Sequence, residues 1–143
     1  MDTSAVQMPR YEEEVKGLRA EYEAQADAPN PSPSLQFQFG CLLLCSSRRT
    51  EIAEGLELLT QLSEVGFERT QVSQNLAMGH LKMGNYLAAK EHVDEWRMLE
   101  PADGMARMVE SVILHRAAQD GHIAVFLLSA VALACVTWWK CRR

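Results

Sequence analysis

Four histidines and four cysteines are the residues with which this chain of 143 could do chemistry, and their spacing points away from it. His80, His92, His115 and His122 are dispersed, and none belongs to a pattern of nucleophile, base and orienting group. Cys41 and Cys45 lie four apart on a stretch with helical periodicity, while Cys135 and Cys141 fall in and just after an apolar run. No His or acid completes a zinc-ligand spacing around any of them. The sequence carries no glycine-rich phosphate loop and no other metal motif. The reading is no catalytic residue, no metal, no cofactor and no small-molecule substrate: a protein that binds through a surface rather than an enzyme.

Charge separates the chain into two parts. All 19 acidic residues and 11 of the 14 Lys and Arg precede position 122, giving residues 1–121 a net of −8 and leaving +3 for residues 122–143. So acidic a body excludes nucleic acid as the expected partner. From Ile123 to Trp139 the chain runs without a single charge. As a helix this run would measure about 25 Å, the short end of what spans a hydrocarbon core. Trp138 and Trp139 stand at the level of an interfacial aromatic belt, and Ser129 and Thr137 can bond carbonyls of their own helix. Residues 122–139 are expected to be a membrane anchor, followed by a basic tail, 140–143. The bias of basic residues toward the cytosol would retain that tail, but the start, MDTSAVQMPRYEEE, lacks the basic, acid-poor character of a leader. The expected arrangement is a cytosolic N-terminal domain with targeting carried by Lys140, Arg142 and Arg143.

The elements that must build the surface are helices. After an N-terminal arm of residues 1–10, Tyr11, Val15, Leu18 and Tyr22 form one apolar stripe following Pro9. The segment DAPNPSPS breaks it and offers Ser32 as N-cap and Pro33 as first residue of a second helix. Thr50 and Thr70 are the expected caps of a third and fourth helix, Gly66 and Gly84 their turn residues, and Tyr86 to Leu99 a fifth helix that stops before Pro101. Met105, Met108, Val109, Val112 and Ile113 mark a sixth, ending at Asp120-Gly121. Gly55, Leu59 and Leu62 precede Ala89, Val93 and Trp96 by one constant offset, and that offset is the tetratricopeptide period of about 34 residues. Phe39 and Gly40 precede Leu76 and Ala77 by an offset longer by three, the extra positions falling in the intervening turn. The expected fold is all-α: a six-helix, tetratricopeptide-like, right-handed superhelical bundle over residues 11–121, with repeats at about 33–66 and 70–103 between two capping helices, and a C-terminal transmembrane helix.

The pieces QFQFGCLL, GLELLTQL, LAMGHLKMGNYLAAKEHV and MLEPADGMA, in that order and ahead of a short basic-ended anchor, resemble the mitochondrial fission 1 protein family over nearly the whole chain. The resemblance implies a tail-anchored receptor in the mitochondrial outer membrane, also found on peroxisomes, that engages a dynamin-like fission GTPase or its adaptors. It leaves open a homodimer and an N-terminal arm folded back into the groove. In this repeat type the first helix of each pair lines the concave side, which nominates Phe37, Cys41, Leu44 and Cys45 from one unit and Gln74, Met78, Leu81 and Lys82 from the next. Such an apolar floor with a polar rim suits an amphipathic partner helix. The alternative is a tail-anchored receptor of the same architecture for a quality-control, tethering or trafficking factor.

Overall fold

The computed structural model describes residues 4–26, 28 and 32–121. These form six α-helices and, among the described residues, no strand: α1 (Ser4–Ala26), α2 (Pro33–Leu44), α3 (Arg49–Glu64), α4 (Arg69–Met83), α5 (Tyr86–Leu99) and α6 (Gly104–Gln119). No described helix is long and apolar enough to cross a membrane; the expected anchor 122–139 and Lys140, Arg142 and Arg143 lie outside the described residues.

Local chemistry explains most boundaries. Ser32 caps α2, its Oγ accepting from the Leu35 amide at 3.4 Å, and Pro33 occupies a first-turn position where no amide donor is needed. Gly84 ends α4 at φ +78°, with the Gly84 amide bonded to the Leu81 carbonyl and the Asn85 amide to that of His80, so the freed carbonyls are satisfied. Two expected caps are corrected. Thr50 and Thr70 sit inside the first turns of α3 and α4, whose N-cap residues are Arg48 and Glu68. The turn into α3 is held by Ser46, whose Oγ accepts from the Arg48 amide at 2.9 Å and donates to Glu51. α1 likewise begins at Ser4 instead of after Pro9, so residues 4–10 of the expected arm are helical.

Each helix packs on the next along the chain, and in addition α2 reaches α4 and α4 reaches α6. Contacts between next-but-one helices arise where the stack is tightest, so α2, α4 and α6 share one side. The core follows in tiers. Val15, Phe39, Leu43 and Leu58 join α1, α2 and α3; Leu44, Leu56, Leu59, Val72 and Leu76 join α2, α3 and α4; Ala77, Tyr86, Val93, Trp96, Ala106 and Ile113 join α4, α5 and α6. Full burial of a side chain such as Leu59 or Phe39 contributes about 1.5–3 kcal/mol. The α2–α3 crossing depends on Gly55, because a Cβ there would stand 2.7 Å from the Gly40 carbonyl oxygen. α1 is fastened by a two-pronged Arg19–Glu54 pair at 2.7 and 2.8 Å, with the guanidinium 5.1 Å above the Phe39 ring.

Candidate partner-binding groove

The shared side of α2, α4 and α6 holds a cavity of about 590 Å³ lined by Cys41, Leu44, Cys45, Asn75, Met78, Gly79, Leu81, Lys82, Val112 and Arg116. Six of the eight residues nominated from the sequence are therefore brought together. Phe37 and Gln74 lie outside it: Phe37 packs against Phe67 at a ring separation of 6.1 Å, and Gln74 is half-buried farther toward the N-terminal end of α4.

The lining is graded from core to solvent. Met78 is 50% exposed and Val112 44%, so these two form the accessible apolar surface. Leu44 and Leu81 are nearly closed off, at 9% and 8%, so the nominated Leu81 offers the groove little exposed surface. Leu81 belongs to the cluster of Ala77, Tyr86, Ala89 and Val93 and shows the cavity only its edge. The sulfurs differ in the same way. Burial pushes the Cys41 thiol up to about 11, keeping it protonated, whereas Cys45 is exposed and its Sγ bonds the Cys41 carbonyl at 3.5 Å. Lys82 is not a free rim cation. Its Nζ donates to the carbonyls of Leu44 at 2.8 Å and Ser46 at 2.6 Å, closing the C-terminal end of α2 as a lysine at a helix terminus does.

Behind the groove, Glu51 organises the α2–α3 turn. It accepts from Ser46, Arg48 and the Tyr11 hydroxyl, and the Ser46 bond, ahead of Arg48, holds its carboxyl below the ordinary range. His80 and His92 stack at 5.4 Å and 10° between rings, and burial lowers both from the ordinary imidazole value. The His80 Nδ1 is buried without a hydrogen-bond partner. This pair joins α4 to α5 as a packing contact. Among the described residues no three His, Cys, Asp or Glu are placed to hold a metal ion.

Val112 and Arg116 were missed from the sequence because α6 read as a terminal cap. A signal for them exists. The step from Cys41 to Met78 is the longer of the two repeat offsets and the step from Met78 to Val112 the shorter, and Cys45, Lys82 and Arg116 follow the same two steps. α6 thus repeats the groove-facing positions of α4 one period later. The row above continues from Phe37 and Gln74 to Met108, which is 65% exposed.

No protein-family model matches the chain. A mitochondrial fission 1 protein of Tuber borchii is 31% identical over 127 residues, covering 88% of this chain and 81% of that protein. The chain belongs to the mitochondrial fission 1 protein family. Solved structures of yeast Fis1 share its fold. The fission protein Fis1 of Saccharomyces cerevisiae superposes with a TM-score of 0.69 at 19% identity, over 79% of this chain and 88% of that one. Yeast Fis1 in complex with an Mdv1 fragment, containing an N-terminal extension and coiled-coil domains, gives 0.68 at 19% identity over 76% and 86%. In this member of the mitochondrial fission 1 family, then, the all-helical stack is that of the solved Fis1 chains, and the groove lies on the side common to α2, α4 and α6.

Proposed function

We propose that this chain is a receptor that recruits the mitochondrial fission machinery by binding a helical segment of an adaptor, or of a dynamin-like GTPase, in the groove of α2, α4 and α6. The observation that carries this is the groove itself: half-exposed Met78 and Val112 over a closed floor of Leu44 and Leu81, an apolar trough with a polar edge. An amphipathic helix needs such a surface, since it must bury one stripe of i, i+3, i+4 and i+7 side chains while its other face stays in water. Family membership supports the reading, and so does the existence of a yeast Fis1 complex with an Mdv1 fragment. The tetratricopeptide-like repeats, 33–66 and 70–103, supply the curvature in this account, and α1 covers the exposed flank of the first pair.

Residues 122–139 anchor the domain in the mitochondrial outer membrane with residues 1–121 in the cytosol, and Lys140, Arg142 and Arg143 direct it there. A share on peroxisomes fits the same short, basic-ended anchor. Imaging tests the arrangement. The full chain should mark mitochondria and restore fission in cells lacking their own family member. A chain ending at Gly121 should disperse in the cytosol, and one with Ser in place of Lys140, Arg142 and Arg143 should shift to the endoplasmic reticulum. Retention of the truncated chain on mitochondria overturns the anchor, and unchanged targeting of the Ser variant removes the basic tail from the account.

A further inference from the structure

Two cations line the groove, and they differ in what they already do. Lys82 is committed to the carbonyls that end α2, those of Leu44 and Ser46. Arg116 holds the equivalent position one repeat later on α6, where the corresponding task would be to close the C-terminal end of α4. That end needs no help. The His80 and Leu81 carbonyls accept from the Asn85 and Gly84 amides, and the Met83 carbonyl accepts from Arg49 at 3.2 Å. Arg116 therefore has no ion pair among the described residues, and it is exposed at the edge of an apolar trough. Asp120, four residues on at the C-cap of α6, accepts from the Tyr86 hydroxyl, and Arg116 acts on that tyrosine through its charge, but Arg116 and Asp120 form no ion pair with each other.

Building on the groove reading above, we propose that the partner is an amphipathic helix with an Asp or Glu at one end of its apolar stripe, placed so that its carboxylate meets Arg116 while the stripe covers Met78 and Val112. The positions of the three residues define the occupant. Val112 and Arg116 are i and i+4 on α6, so they lie side by side on one face, and Met78 adjoins them from α4 across the cavity. A guanidinium beside an apolar floor selects a planar, two-oxygen acceptor in preference to a neutral or basic side chain. It also sets direction, since only one orientation of the helix brings its acid to the C-terminal end of α6.

The test is selection from a library of helical peptides with fixed apolar residues at i, i+3, i+4 and i+7 and randomised flanking positions. The target is the full chain in phosphatidylcholine nanodiscs, with empty discs as counter-selection and circular dichroism to verify that each variant is folded. Asp or Glu should be enriched at one flank. Binding of the selected peptide should fall roughly tenfold or more for Arg116→Gln and Arg116→Glu and fall less for Arg116→Lys, which keeps the charge but not the two-pronged geometry. A peptide with Lys at that flank should prefer Arg116→Glu. Peptides selected without acidic bias, or bound equally by Arg116→Glu, overturn this inference while loss of binding in Met78→Glu keeps the groove reading. Peptides indifferent to Met78→Glu overturn the groove reading itself. Failure to select any peptide, or a chain dimer abolished by Met78→Glu, overturns the inference, the latter by identifying a second copy as the occupant.

Discussion

Met78 and Leu81 sit one turn apart on α4 and both line the groove, yet a glutamate should do opposite things at the two positions. Full burial of a side chain of this size is worth about 1.5–3 kcal/mol, and Met78 is 50% exposed, so its packing contributes about 1 kcal/mol. Met78→Glu leaves the new carboxylate in water when the groove is empty. The fold should lose no more than that, a fall in Tm of about 4 °C for a domain of this size. When a partner helix lies over the position, the same carboxylate is desolvated against an apolar face, with Lys82 already committed to the Leu44 and Ser46 carbonyls and Arg116 to the partner's acid. A loss at such a central contact is about 2 kcal/mol or more, a weakening of roughly 30-fold. Leu81→Glu is different in kind, because Leu81 is 8% exposed within the cluster of Ala77, Tyr86, Ala89 and Val93. It forfeits nearly the whole burial term and places a charge in the core, a cost of about 4 kcal/mol or more. Thermal melts followed by circular dichroism, paired with images of mitochondrial networks in cells lacking their own family member, read both axes. Met78→Glu should melt close to wild type and leave networks elongated, and Leu81→Glu should melt early or fail to accumulate. If Met78→Glu divides mitochondria normally, or melts as early as Leu81→Glu, the assignment of Met78 to a free binding surface is wrong.

Three further outcomes are expected. Gly55→Ala forces a methyl against the Gly40 carbonyl oxygen at 2.7 Å, which backbone cannot easily yield, and should cost about 1–3 kcal/mol in denaturant titration; an unchanged midpoint refutes the close α2–α3 crossing. His80 and His92 have folded values below the ordinary 6.5, so the unfolded chain takes up protons first and stability, full above pH 6.5, should decline as pH falls through the lowered values. That slope should flatten in a His80→Phe, His92→Phe double variant, and an identical slope in the variant would exclude the stacked pair as its source. Ala89→Leu, at a fully buried position in the α4–α6 core, should overpack the domain by about 1–3 kcal/mol; a wild-type melting temperature would show slack that the buried packing does not suggest.

The order and number of helices were legible in the sequence because apolar stripes at helical spacing, proline-rich breaks and turn glycines all point the same way. Ser32 with Pro33, Gly66 and Gly84 are each where local chemistry demands them. The missed start of α3 has a tertiary cause, in which distant partners override local preference. Thr50 and Thr70 are good capping residues, but Ser46 fixes the entry to α3 through Glu51, and Glu51 is in turn held by Tyr11 from α1, 40 positions away. α6 gained its own cap from Asp103, which accepts from the Met105 amide at 2.8 Å while also accepting from the Trp96 indole at 3.0 Å.

The groove shows where periodicity stops being informative. A helical stripe gives direction only to within about a hundred degrees, wide enough to hold both a core contact and a groove contact. Leu81 falls on that boundary, so the pattern identified its helix face correctly but not its depth. Lys82 shows the complementary difficulty. A lysine on a rim is ordinarily solvated, and only the placement of α2's last carbonyls beside it turns it into a cap. The tier of α6 was hidden for another reason: a terminal helix was assigned the duty of covering the stack, whereas Val112 and Arg116 continue the repeat spacing and extend the groove instead. The helix that follows Leu99 is thus at once the last layer of the core, through Ala106, Ile113 and Ala117, and the third wall of the groove, through Val112 and Arg116. Those two duties occupy adjacent faces of one helix. If the proposed groove is the binding site, a substitution at Val112 or Arg116 should alter partner choice without disturbing the packing one face away.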